Sequence, residues 1–149
     1  MDGLDALNRH LHGMPPVAAM QVHAVAFDGE VLRLQAPLAA NMNDKGCAFG
    51  GSMSGLMTLA GWGLLTLKME SAGLPAEVYV ADSHVRYLKP LYADLHGEAR
   101  LGPDVDWDAF LRSFRDRGRA RAGVLATLCD PEGAVVAELS GRFAALRPA

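Results

Sequence analysis

Cysteine is nearly absent. Cys47 and Cys129 are the only two in 149 residues, too few and too unpatterned for the disulfide framework of a small secreted domain. Their scarcity predicts a reducing, cytoplasmic setting. Met1-Asp2-Gly3-Leu4-Asp5 lacks a basic stretch followed by an apolar run, which predicts no secretory signal. Positive charge is not in excess either. The formal net charge is −3, which argues against nucleic acid as a partner of the whole chain. Linkers, internal repeats and low-complexity tracts are also missing, so residues 1–149 read as one domain. Metal-ligand and nucleotide-binding patterns are missing too. His10 and His12, two apart on a helix, do not face each other, and His23 and His96 stand alone on predicted strands. No metal, no nucleotide and no other cofactor is expected. Half of the residues are hydrophobic, and a chain of this length buries roughly 70% of its unfolded surface. A full core therefore forms without disulfides.

The longest absence is of charge. No ionisable side chain occurs from Gly46 to Leu67 except the thiol of Cys47, a length that raises the question of a membrane span. Gly50, Gly51, Gly55, Gly61 and Gly63, with Ser52, Ser54, Thr58 and Thr66, make the stretch only moderately apolar. Several amphipathic strands follow it and need something to pack on. A helix buried by a sheet meets both conditions, and no membrane span is predicted.

Around that helix the pattern is mostly β. Leu4, Leu7, Leu11 and Met14 recur at helical spacing, and Gly13 with Pro15-Pro16 ends that first helix. Strands are predicted over 20–27 and 31–36, joined at Asp28-Gly29-Glu30, a hairpin signal. A polar loop covers 37–47, and the long helix runs from about Phe49 to Ser71, stopped by Gly73 and Pro75. Residues 77–88 alternate, with Tyr79, Ala81, Ser83, Val85 and Tyr87 on one face and Val78, Val80, Asp82, His84, Arg86 and Leu88 on the other. A short strand follows at 96–101. Trp107, Phe110, Leu111 and Phe114 mark a short helix ending at Gly118, and 122–129 and 134–146 form a hairpin around Asp130-Pro131-Glu132-Gly133. Antiparallel strands with one segregated long helix give an α+β domain.

Chemistry concentrates where the polar loop meets the long helix. The first-turn amides of a helix have no intrahelical partners. Gly50 and Gly51 let a substrate approach them closely, and an oxygen gaining negative charge there is stabilised by amides and helix dipole together. Asn43 adds a neutral donor. The same residues also suit a plainer role, with Asn41 and Asn43 capping turns and the glycines easing helix packing. Along the helix, Gly51, Ser54, Gly55, Thr58 and Gly61 form a stripe of small residues, beside which a thin ligand or a backbone can lie.

Asn43-Asp44-Lys45-Gly46-Cys47-Ala48-Phe49-Gly50-Gly51 resembles the Asn-x-x-Gly-x-x-His-Gly-Gly motif of hot-dog thioesterases, with Phe49 in place of the histidine. Pro-Leu-Ala-Ala-Asn-Met-Asn at 37–43, Ala-Phe-Gly-Gly-Ser at 48–52, Leu-Ala-Gly-Trp-Gly at 59–63 and Val-Arg-Tyr-Leu-Lys-Pro at 85–90 resemble one family more closely. That is the hot-dog putative thioesterase family, whose domain occurs alone or fused behind an acetyltransferase domain, and whose members include malonyl-acyl-carrier-protein decarboxylases. The likeness covers about residues 10–148. It implies a hot-dog fold, with about six antiparallel strands wrapped around one long helix, and an acyl thioester of acyl-carrier protein or coenzyme A as substrate. It also implies a homodimer or higher assembly meeting at the strand around Val78–Leu88. Asn43, Gly51 and Ser52 are the expected catalytic set. Asn41, Phe49, Gly50, Gly55, Thr58 and Asp82 are expected around the substrate.

Many hot-dog thioesterases carry an acidic residue about nine positions beyond the motif's histidine. Here that residue is Thr58, and no carboxylate occurs from Phe49 to Lys68. Hydrolysis needs a base or nucleophile, whereas decarboxylation of a malonyl thioester needs a polarised thioester oxygen and a poorly solvated carboxylate. The missing base favours decarboxylation first and hydrolysis second. Asp82 or Asp44 reaching in would restore a base, Cys47 near the helix start offers a covalent route, and a third reading is a non-catalytic thioester binder. Arg112, Arg115, Arg117, Arg119 and Arg121 crowd into ten residues. They read either as a solvated surface or as a docking patch for an acidic carrier protein or for coenzyme A phosphates.

Overall fold

The computed structural model describes residues 3–149. Strands β1 (His23–Phe27), β2 (Leu32–Ala36), β3 (Glu77–Tyr87), β4 (Leu95–Leu101), β5 (Arg119–Cys129) and β6 (Val135–Leu146) form one antiparallel sheet in the order β1-β2-β4-β5-β6-β3. Helices are α1 (Gly3–His12), α2 (Pro15–Met20), α3 (Gly50–Ser71) and α4 (Trp107–Arg117). The long helix α3 packs against the sheet, as the hot-dog fold requires. Among the described residues no helix is long and apolar enough to cross a membrane.

Small and aliphatic residues explain how α3 fits. Met53, Leu56, Met57, Ala60, Leu64, Leu65 and Leu67 are all buried, which is why the segment needs no charged face. Gly61 lets the fully buried Phe143 of β6 come in: a Cβ at 61 would lie 2.5 Å from the ring's Cζ. Gly63 similarly admits Leu32 and Leu7, so α1 covers the flank of α3 that the sheet leaves open. At the other end, α4 is capped by the Asp106 carboxylate accepting from Ala109 N at 3.0 Å. It is pinned to the C-terminal end of α3 by Lys68 lying over Trp107.

Two predicted features differ in the structure. Pro15-Pro16 does not only stop the first helix; it opens the one-and-a-half turns of α2, where proline at the first position costs no hydrogen bond. Gln21, left-handed at φ 57°, then ends α2, so β1 begins at His23 rather than at residue 20. The second difference lies in β3. Val80 pairs with Phe143 but Asp82 pairs with Arg142, leaving Ala81 as a bulge. An extra residue reverses the alternation. Cross-strand partners share a face, and Phe143 and Leu139 are buried against the helix layer. Val78, Val80, Ser83, Val85 and Tyr87 therefore share the α3 side. Asp82, His84 and Arg86 face away from it.

β3 is an edge strand of eleven residues, bonded to β6 on one side only. Its α3-side residues Val80 and Tyr87 remain 44% and 54% exposed, because no element among the described residues covers this edge.

Candidate active site at the start of the long helix

A short, self-closed loop delivers the chain to α3. Phe49 N donates to Asn41 O at 2.7 Å and Asn43 N donates to Cys47 O at 2.8 Å, while Met42 and Ala48 form an isolated bridge. The Asn43 side chain braces the turn: its Oδ1 accepts from Lys45 N at 2.9 Å and from Cys47 N at 3.2 Å. Its Nδ2 has one contact, Cys47 Sγ at 3.2 Å. An amide nitrogen carries two donors, so one N–H of Asn43 has no protein acceptor among the described residues. The turn-capping role and the donor role thus coexist in one side chain.

Gly50, Gly51 and Ser52 form the first turn of α3, and none of their amides has an acceptor among the described residues; Met53 N, next in line, already bonds to Phe49 O at 3.0 Å. Among the described residues Ser52 and Asn41 are the two buried polar ones, at 8% and 3% exposure. The Ser52 hydroxyl has no partner among the described residues. Asn41 Nδ2 donates to Met20 O at 2.9 Å and Pro37 O at 2.8 Å, which fixes the amide's orientation. Its Oδ1 is left buried without a donor. First-turn amides lack intrahelical acceptors in any helix; beside them the fold leaves one buried oxygen, Asn41 Oδ1, without a donor.

Aromatic rings flank this turn. A Cβ on Gly51 would lie 2.5 Å from Phe49 Cε2, and one on Gly50 would lie 3.6 Å from Tyr87 Cε1. The Tyr87 hydroxyl donates to Gly50 O at 3.1 Å. Tyr87 was not a predicted site residue; the bulge at Ala81 sets which face it occupies, and an alternating pattern carries no sign of a bulge.

The small-residue stripe divides. Gly51 is exposed and Ser54, Gly55 and Thr58 are half-buried, whereas Gly61 is closed off by Phe143. Gly55 faces Met20 of α2, whose Cε would lie 3.6 Å from a Cβ there. Ser54 and Thr58 turn their hydroxyls back onto Gly51 O and Ser54 O.

Asp82 is not brought to the helix start. It lies on the outer sheet face, where Arg142 Nε donates to its Oδ1 at 3.0 Å. That hydrogen bond, with Coulombic help from Arg142 and Arg121, holds its carboxyl below the usual range. Asp44 is exposed and paired with Lys45 at 2.9 Å. Cys47 is buried, its sulfur resting on the Asn43 amide. Arg112, Arg115 and Arg117 on α4, with Arg119 and Arg121 on β5, are all exposed, and among the described residues none joins an ion pair. A groove of about 520 Å³ between α4 and β5 is lined in part by Arg121. It lies at the C-terminal end of α3, away from the glycine pair.

Against known proteins, the family model described as "Putative thioesterase (yiiD_Cterm)" matches residues 4–147. A putative thioesterase from Shewanella oneidensis has a similar structure, at 29% identity over 98% of this chain and 98% of that one, with a TM-score of 0.86. A protein of unknown function from Chlorobaculum tepidum is also similar, at 25% identity, 97% and 94% coverage and a TM-score of 0.89. A Pseudomonas aeruginosa protein described as a probable thioesterase matches at 24% identity, 95% and 94% coverage and a TM-score of 0.80, a likeness of fold.

Proposed function

The chain belongs to the putative thioesterase family, and on that premise we propose that it is an enzyme that decarboxylates malonyl-acyl-carrier protein to acetyl-acyl-carrier protein, supplying acetyl groups for fatty-acid initiation. The observation that carries this reading is that, among the described residues, no free base stands beside the unpaired amides. Of the two carboxylates offered by the sequence, Asp82 faces the far side of the sheet and is engaged by Arg142, Asp44 is exposed and paired with Lys45, and α3 itself has none before Glu70. What the helix start does offer is neutral donors: the Gly51 and Ser52 amides and the free N–H of Asn43.

Those donors fit one electron flow. The C2–C3 bond of the malonyl group breaks, carbon dioxide leaves, and the electron pair passes through C2–C1 onto the thioester oxygen. The amides and Asn43 stabilise that enolate oxygen, each such donor being worth about 3 kcal/mol. C2 then takes a proton from solvent. A carboxylate beside the site would repel the substrate's own, whereas neutral donors do not.

The bare edge of β3 supports a homodimer, in which a second copy continues the sheet and walls the cleft beside Tyr87 and the Ser54–Thr58 stripe. The five unpaired arginines support an acidic carrier protein, or coenzyme A phosphates, as the docking partner. Hydrolysis of an acyl thioester is the second reading, favoured by the description the family carries. Incubation with malonyl-carrier protein and mass analysis separates the two. Acetyl-carrier protein supports decarboxylation; free carrier thiol with malonate supports hydrolysis; unchanged substrate counts against both for this acyl group and leaves a binding role to be tested.

A further inference from the structure

Phe49 caps α3 without any side-chain hydrogen bond and is 55% exposed. Its ring nevertheless does not stand off in solvent. Three of its atoms, Cε2, Cζ and Cδ2, would lie 2.5, 2.9 and 3.2 Å from a Cβ on Gly51, so the ring lies across the first turn and occupies the space that glycine leaves. The backbone holds it there: Phe49 N bonds to Asn41 O, and Phe49 O accepts from Met53 N. Tyr87 stands on the other side, over Gly50. The three amides without acceptors and the unpartnered hydroxyl of Ser52 belong to this same turn.

We propose that Phe49 is a specificity-determining residue whose ring keeps water off the first-turn amides and so directs a bound malonyl thioester to decarboxylation instead of hydrolysis. The inference rests on the decarboxylase reading above. Two effects act in the same direction. Donors screened from water interact more strongly with a developing enolate oxygen. Water is also the nucleophile of the competing reaction, in which its oxygen adds to C1, the C1–S bond breaks and the thiol sulfur takes the proton. Excluding water slows that addition but not the loss of carbon dioxide, whose electron pair moves within the substrate.

Two measurements on wild type, Phe49→Ala and Phe49→Leu test it. The first is amide hydrogen exchange at Gly51 and Ser52 in the free protein. These amides have no acceptor, so their exchange reports water access. Phe49→Ala is expected to speed it about tenfold or more, with Phe49→Leu restoring most of the protection; exchange that is fast in wild type and unmoved by Phe49→Ala overturns the inference whatever the reaction. The second is the ratio of malonate to acetyl product from malonyl-carrier protein, expected to rise about tenfold in Phe49→Ala. Acetyl product from wild type with an unmoved ratio overturns this inference alone. Malonate as the wild-type product overturns both it and the decarboxylase reading. An inert wild type overturns both as well, since no malonyl chemistry is then left for Phe49 to direct.

Discussion

Gly61→Ala and Gly55→Ala place the same methyl group on the same helix and are predicted to have opposite effects. Alanine in a helix interior is favoured over glycine by about 1 kcal/mol, and this gain applies at both sites. At 61 the new Cβ would meet Phe143 Cζ, Cε1 and Cε2 at 2.5, 2.8 and 3.1 Å. Phe143 is fully buried in a central strand, so its ring has nowhere to swing. Overpacking of this kind costs about 1–3 kcal/mol, and contacts this short belong at the upper end. The net is a loss of about 1–2 kcal/mol, or a fall in Tm of about 3–6 °C for a domain of this size. At 55 the Cβ would meet only the flexible end of Met20, at 3.6 and 3.8 Å, which is ordinary contact. The helix gain survives there, and stability rises by about 0.5–1 kcal/mol. Urea and thermal unfolding at one fixed protomer concentration, so that any association contributes equally, read both signs. A neutral or stabilising Gly61→Ala would refute the packing of Phe143 into α3, and a destabilising Gly55→Ala would refute the spare room beside Met20.

Asn43→Asp keeps the Oδ1 that braces the loop and removes the Nδ2 donor; turnover is expected to fall on the order of 10²–10³-fold with the fold intact by circular dichroism, whereas a pure binder would lose only affinity. The Arg142 hydrogen bond holds the Asp82 carboxyl below the usual carboxylate range in the folded state. Its stabilising contribution is therefore present above about pH 4 and lost as pH falls through the lowered folded value. Asp82→Asn should accordingly lower the urea midpoint at neutral pH, converge with wild type in acid, and leave turnover unchanged. Sedimentation is expected to give a dimer, and Val80→Lys, which puts a charge on the bare edge of β3, a monomer. Replacing Arg112, Arg115, Arg117, Arg119 and Arg121 by glutamine should raise KM for a carrier-bound thioester and leave KM for a short pantetheine thioester alone; equal KM changes would remove the docking role.

Much of the architecture was legible because single local rules decided it. The uncharged run ending at Lys68 became α3, Asp-Gly became the β1–β2 turn through Asp28 Oδ1 accepting from Glu30 N and Val31 N, and the Asp106 cap with Gly118 bounded α4. Pro15-Pro16 misled because proline is compatible both with the end of one helix and with the first turn of another. The faces of β3 misled because a bulge leaves the residue pattern unchanged while reversing what it means. In the candidate site, the glycines and Asn43 were singled out by their resemblance to a family motif, spacing alone leaving a turn-capping role equally open. The rings of Phe49 and Tyr87 over the glycine pair, and the stranded Oδ1 of Asn41, depend on where side chains from distant segments meet, and spacing holds no record of that.

The most direct test of the central claim is one labelled turnover. Malonyl-carrier protein carrying ¹³C in its free carboxyl group is incubated with the protein in H₂¹⁸O, and the gas and carrier products are weighed by mass spectrometry. The account predicts ¹³C-labelled carbon dioxide released in equal amount to acetyl-carrier protein. Labelled malonate containing ¹⁸O, with the carrier returned as free thiol, would contradict it and make this protein a hydrolase whose base the single protomer does not display.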